Sequence, residues 1–148
     1  MMVEKKITIS VAESCTGGFI SVLLTSIAGS SHFFKGSMVT YSNDSKINLL
    51  GINPRVIKQH GVVSQCVAES MANKIREKYD SDYGIATTGY VDVFQNKSML
   101  QSSNFHAWIA ISNTSSTISK CLILNNSRLQ NISDVSHQLL SLLRKEIT

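Results

Sequence analysis

Proline is almost missing from this chain: Pro54 is the single one among 148 residues. No proline-rich spacer divides it, and no glycine- or serine-rich linker does so either. Cysteine is scarce as well. Cys15, Cys66 and Cys121 are odd in number and widely spaced, with no CxxC pair, so neither a disulfide framework nor a zinc site is expected. The four histidines, His32, His60, His106 and His137, never fall at HExxH spacing, and no metal is expected from them. No apolar run approaches the roughly 18 residues that a membrane span needs, so no membrane partner is expected. Basic residues outnumber acidic ones, 14 to 10, but they do not cluster. The densest stretch, Lys74-Ile75-Arg76-Glu77-Lys78, is broken by an acid. It reads as the solvated face of a helix and not as a nucleic-acid stripe, so no nucleic acid is expected. The net charge of +4 favours an anionic small molecule by weak steering. Lys5-Lys6 leads straight into a short β-like run, without the longer apolar core of a signal peptide. Together with the unpaired cysteines, this makes a cytoplasmic location the expectation.

What is present is a globular mix. Apolar residues make up 43% and charged residues 16%, too apolar and too little charged for disorder. The length fits one domain over residues 1–148 with a sizeable core. Ile7-Thr8-Ile9-Ser10-Val11 alternates as a strand does. Phe19, Ile20, Leu23, Leu24 and Ile27 then recur at helical spacing, with Gly29 placed to end that helix. Residues 33–41 read as a second strand. Ser42-Asn43-Asp44 reads as a helix start, leading into a short helix over residues 46–50. Pro54 opens another helix that closes at Gly61, and Ser64 caps a longer one carrying Val67, Met71, Ile75 and Tyr79 on one face. Residues 83–88 form a third strand, 107–111 and 117–124 a strand pair, and about 133–147 a closing amphipathic helix. Residues 90–104 are polar and irregular. Strands alternating with helices, then two adjacent strands, predict an α/β domain with a mixed, mostly parallel sheet covered on both faces.

In open α/β sheets ligands sit outside the carboxyl ends of the strands. Three polar turns occupy such places: Glu13 to Gly18, Tyr41 to Lys46, and Thr87 to Gly89, with Ser30-Ser31 between the first two. The first turn offers a helix N-terminus that attracts anions, and Gly17 and Gly18 permit close backbone approach. Such a turn by itself is more often a cap than a site. A serine, a tyrosine and a lysine can nevertheless hydrolyse an amide without histidine. A desolvated lysine is a neutral base able to take a serine proton, and a tyrosine can relay that proton or donate to an oxyanion. The competing reading leaves Tyr41 as a strand-end aromatic and Lys46 as an exposed helix residue.

Read together, Ala12-Glu13-Ser14-Cys15-Thr16-Gly17-Gly18, Ile27-Ala28-Gly29-Ser30-Ser31, Val39-Thr40-Tyr41-Ser42-Asn43 with Lys46, Leu50-Gly51-Ile52 and His60-Gly61-Val62-Val63-Ser64 closely resemble the CinA C-terminal domain family. That family includes bacterial nicotinamide mononucleotide deamidases. The resemblance runs in order from about residue 7 to residue 89. It implies a three-layer α/β/α domain with a five-stranded sheet. It also implies hydrolysis of nicotinamide mononucleotide to nicotinate mononucleotide and ammonia, without metal or cofactor, and by analogy a homo-oligomer. It assigns the nucleophile to Ser31, with Lys46 and Tyr41 as its catalytic partners. Ser14, Thr16, Gly17, Gly18, Thr88, Gly89 and Arg128 are assigned to binding a pyridine nucleotide, Arg128 facing its phosphate. The chain departs from the family after Gly89. Tyr90-Val91-Asp92-Val93-Phe94 stand where a glycine-rich loop is usual, and Asn104 to Ile109 replace a second proline- and glycine-bearing segment. Tyr, Val and Phe avoid backbone conformations open to glycine, so one wall of the pocket is rebuilt. The alternative to a working deamidase is therefore a degenerate member that binds a nucleotide-like ligand or a partner protein without hydrolysis.

Overall fold

In the computed structural model, which describes residues 1–92 and 105–148, five strands form one sheet in the order β2-β1-β3-β4-β5. The chain runs α1 (Met2–Lys5), β1 (Ile9–Glu13), α2 (Phe19–Thr25), β2 (Phe34–Val39), α3 (Asn43–Ser45), α4 (Pro54–His60), α5 (Gln65–Tyr79), β3 (Tyr83–Tyr90), β4 (Phe105–Ser112), β5 (Thr117–Leu124) and α6 (Arg128–Ile147). β1 pairs in parallel with both β2 and β3, whereas β3–β4 and β4–β5 are antiparallel. This is the expected mixed sheet, parallel at one end. No described helix is long and apolar enough to cross a membrane.

Every residue of β1 is buried, as a strand covered on both faces requires. Ile9 and Val11 face a core shared with Ile85, Ile109, Val135, Leu139 and Leu143, beneath α2 and α6. The other face carries small residues, Ala12, Ala86 and Ala110, against Val67, Met71 and Ile75 of α5. The small residues let α5 lie very close to the sheet. A Cβ at Gly84 would meet the Ala72 carbonyl oxygen at 2.1 Å. The molecule is thus three layers, with α2 and α6 on one side and α4 and α5 on the other.

Local chemistry sets most helix starts. Ser64 Oγ accepts from Val67 N at 3.3 Å, and Asn53 Oδ1 accepts from Arg55 N at 2.9 Å beside Pro54 at the first turn. Ser42 and Ser45 cap α3 reciprocally. Several boundaries differ from expectation. Helix α2 ends at Thr25, and Gly29, with φ 81, instead starts a 3-10 turn over Ser30–His32. Residues 46–50 form a π-helical turn and not an α-helix. β2 stops at Val39, which leaves Tyr41 beyond it. Helix α6 begins at Arg128, five residues earlier than its apolar periodicity begins. Within the polar stretch 90–104, Tyr90 ends β3, and residues 93–104 lie outside the described residues.

Candidate active site

The centre of the site is a buried amine. Just past β2, Thr40 N donates to the Glu13 carbonyl at 2.8 Å and so continues the pairing with β1 for one more residue. Two residues on, the Ser42 cap turns the chain, and Lys46 becomes the first residue of the π-helical turn. Such turns are rare and concentrate at functional sites. This one sends the Lys46 side chain back under its own strand. Its Nζ donates to the Thr40 carbonyl at 2.7 Å and to Ser14 Oγ at 2.8 Å. Lys46 is 1% exposed, and no carboxylate among the described residues pairs with it. Burial lowers its pKa from 10.5 to about 8. The neighbouring Cys15 thiol is pushed up to about 12, chiefly by burial, so it stays neutral and offers no counter-charge.

The turn that carries Ser14 is held by Glu13. This carboxylate is fully buried and accepts four hydrogen bonds. Oε1 takes the Thr16 hydroxyl at 2.7 Å and Ile20 N at 3.0 Å; Oε2 takes Ser21 N at 3.0 Å and the Ser21 hydroxyl at 2.6 Å. Gly18, at φ 104, lets the chain turn into α2 without a side chain. The expectation of a free, anion-seeking N-terminus on α2 is thereby corrected, because the protein's own carboxylate already fills it. Thr87 secures the turn from β3. Its carbonyl accepts from Ser14 N at 3.2 Å, and its hydroxyl lies 2.9 Å from that of Thr16.

Ser14 and Lys46 open onto a cleft of about 240 Å³ at the carboxyl ends of β1, β2 and β3. Tyr41, Thr88, Gly89 and Arg128 line it too. Arg128 Nη2 donates to the Tyr41 hydroxyl at 3.0 Å across its rim. Thr88 Oγ1 donates to the Val62 carbonyl at 2.8 Å, which ties β3 to the turn that forms the opposite wall. Gly89 is needed where it stands, since a Cβ there would come within 2.6 Å of Ala107 Cβ on β4.

Ser31 is elsewhere. It sits exposed in the 3-10 turn that precedes β2, at the end where Phe34 pairs with Ile9. The six residues of β2, about 20 Å of strand, separate that end from Lys46. Ser31 is not among the cleft residues, so the expected Ser31–Lys46 pair is corrected to Ser14–Lys46. Thr16 turns inward to Glu13, and Gly17 and Gly18 shape the turn without lining the cleft. Sequence reasoning named Thr87, Asn43, Val62, Val63 and Thr40 within turns and motifs but gave none of them an individual role in the site. One signal was available for the serines: Ser14 follows a strand, whereas Ser31 precedes one, and ligands gather at the carboxyl ends. No group of His, Cys, Asp or Glu among the described residues could hold a metal ion.

Fold and site together define a three-layer α/β domain with a buried serine–lysine pair at the carboxyl edge of its parallel strands. The CinA C-terminal domain family matches residues 1–147, and the chain belongs to that family. A CinA-like protein of Flavobacterium psychrophilum is 39% identical over 147 residues, covering 99% of this chain and 35% of that protein. A CinA-like protein of Amoebophilus asiaticus is 37% identical over the same length, with the same coverage. The chain therefore spans about a third of the length of these relatives. Among solved structures, competence damage-inducible protein A of Klebsiella pneumoniae superposes with a TM-score of 0.90 at 22% identity, covering 99% of this chain and 89% of that one. The competence/damage inducible protein CihA of Agrobacterium tumefaciens gives 0.90 at 24% identity, with the same coverage. At these identities the superpositions establish the fold.

Proposed function

We propose that this domain hydrolyses the amide of a small anionic substrate of the nicotinamide mononucleotide type, with Ser14 as nucleophile and Lys46 as its base. The observation that carries this reading is the 2.8 Å contact between the Lys46 amine and the Ser14 hydroxyl inside a cleft, with no ion pair to Lys46 among the described residues. A neutral Lys46 takes the Ser14 proton as Oγ attacks the amide carbonyl. The C–N bond then breaks, and the proton held by Lys46 leaves with the amine as ammonia. Water, deprotonated by the same amine, attacks the acyl ester, releases the carboxylate product and returns the proton to Ser14. The Thr40 carbonyl keeps Nζ aimed at Ser14 through both halves. Arg128, fixed on the rim by Tyr41, supplies a cation for the substrate phosphate, and the Tyr41 hydroxyl remains able to donate its own proton into the cleft.

The test is ammonia release from nicotinamide mononucleotide by the purified protein. Ser14→Ala is expected to lower turnover by about 10⁴-fold or more, and the Ser14→Ala/Lys46→Ala double variant to be little worse. Ser31→Ala is expected to keep normal turnover. The reverse pattern would return the nucleophile to Ser31 and end this assignment. A second reading rests on Tyr90, Val91 and Asp92 in the cleft wall, where the family usually has a glycine-rich loop. It is a domain that binds such a nucleotide without cleaving it. Calorimetric binding with no ammonia would favour that reading.

A further inference from the structure

The proposed chemistry leaves one large side chain on the cleft wall without a role. Tyr90 is the last residue of β3 and lines the cleft beside Gly89 and Thr88. Alternation along the strand puts Tyr90 on the same face as Thr88, whose hydroxyl reaches Val62 on the facing wall. The ring is also braced. Tyr90 pairs across the β3–β4 ladder with His106, and the two rings meet edge to face, centroids 5.9 Å apart at 72°. The contact supports one side of the ring, and Tyr90 remains 45% exposed. An aromatic ring braced on one side but still uncovered at a cleft wall offers apolar area and a π face, with little side-chain entropy left to lose on binding.

The geometry points to Tyr90 as a specificity-determining residue that stacks on a planar aromatic ring of the ligand, so that the cleft selects a ring-bearing nucleotide over the same sugar phosphate without a ring. Arg128 serves the anionic end of such a ligand, and Tyr90 serves the ring end. This inference rests on the cleft being the ligand site, as proposed above, but not on hydrolysis taking place there.

Calorimetric titration of the whole chain with nicotinamide mononucleotide, and in parallel with ribose 5-phosphate, tests it. Tyr90→Ala and Tyr90→Leu are each expected to weaken nicotinamide mononucleotide binding by about tenfold or more, the effect of losing one stacked base. Tyr90→Phe keeps the ring and is expected to stay within about twofold of wild type. Ribose 5-phosphate binding is expected to be the same across the series. Tyr90→Leu retains apolar bulk, so a reading survives even if the alanine variant folds poorly. Normal nucleotide binding by Tyr90→Leu overturns the inference. So does equal weakening of both ligands, which means a collapsed wall, or a wild-type protein that fails to prefer the ring-bearing ligand. Binding of nicotinamide mononucleotide without ammonia release removes the hydrolase reading alone and leaves the stacking comparison standing.

Discussion

The Lys46 amine ordinarily titrates at 10.5, and burial brings it to about 8, so the neutral base grows in abundance as pH climbs past neutrality. Amide turnover is expected to rise through that value and then level off. Stability is linked to the same proton. Below about 8 the native and unfolded forms both hold it, and the native form carries the whole cost of a buried charge. Between about 8 and 10.5 the unfolded chain keeps the proton while the native one has released it, so stability rises with pH across that window. Melting curves of wild type and Lys46→Met, recorded from neutral pH to about pH 10, check this. The wild type is expected to gain relative to the variant as pH rises. A constant difference would mean that the amine is not desolvated. Lys46 and Tyr41 were marked as candidates in the sequence by the family resemblance, since chemistry alone left Lys46 readable as an exposed helix residue. Which serine the amine reaches was signalled only by strand order, Ser14 following a strand and Ser31 preceding one, since the two hydroxyls are chemically equivalent.

Helix α2 is only seven residues long, and its first turn is held by Glu13 from the preceding strand. Removing that carboxylate leaves the Ile20 and Ser21 amides and the Thr16 hydroxyl without their acceptor near the core. Glu13→Ala is expected to cost about 3 kcal/mol in denaturant unfolding, and Glu13→Gln, which preserves an acceptor for Thr16 and Ile20, distinctly less. Equal stability of Glu13→Ala and wild type would show that the cap is idle. Other element ends were readable directly, because Ser42, Asn53-Pro54 and Ser64 cap by local hydrogen bonding. Helix α6 shows where that reading stops. Its cap is Ser127, but Leu129 in the first turn is 79% exposed, so apolar periodicity is silent there and places the start too late. The π-helical turn at Lys46 likewise has no local sequence signal. It places the lysine where its amine reaches the Thr40 carbonyl and Ser14.

Across the whole molecule, the mouth of the cleft is assembled from segments far apart in the chain. Asn131, fully buried on α6, donates from Nδ2 to the Val91 carbonyl and to the Asn126 carbonyl, each at 2.9 Å, and accepts from Asn126 N at 3.0 Å. One side chain thus joins the exit of β3 to the turn that presents Arg128, and Arg128 in turn reaches Tyr41 beyond β2. Asn131→Leu is expected to raise KM by about fivefold while leaving kcat within about twofold, because the mouth shifts and the Ser14–Lys46 pair does not. Steady-state kinetics on nicotinamide mononucleotide reads the split. An unchanged KM with a reduced kcat would place Asn131 in the chemistry instead.

Strand and helix order, the main caps, the three-layer class and the likeness to the CinA C-terminal domain were all carried by the sequence itself. The order and the caps depend on periodicity and on hydrogen bonds between residues close in the chain, and the layer arrangement and the likeness on the family's motifs. Which hydroxyl meets the lysine, what fills the start of α2 and which residues rim the cleft were decided only in three dimensions. Parallel pairing of β2 with β1 carries Ser31 to one end of the sheet and delivers Thr40 and Lys46 to the other, beside Ser14. The serine–lysine pair and the cleft rim leave no local pattern, because their contacts span 32 positions or more of chain.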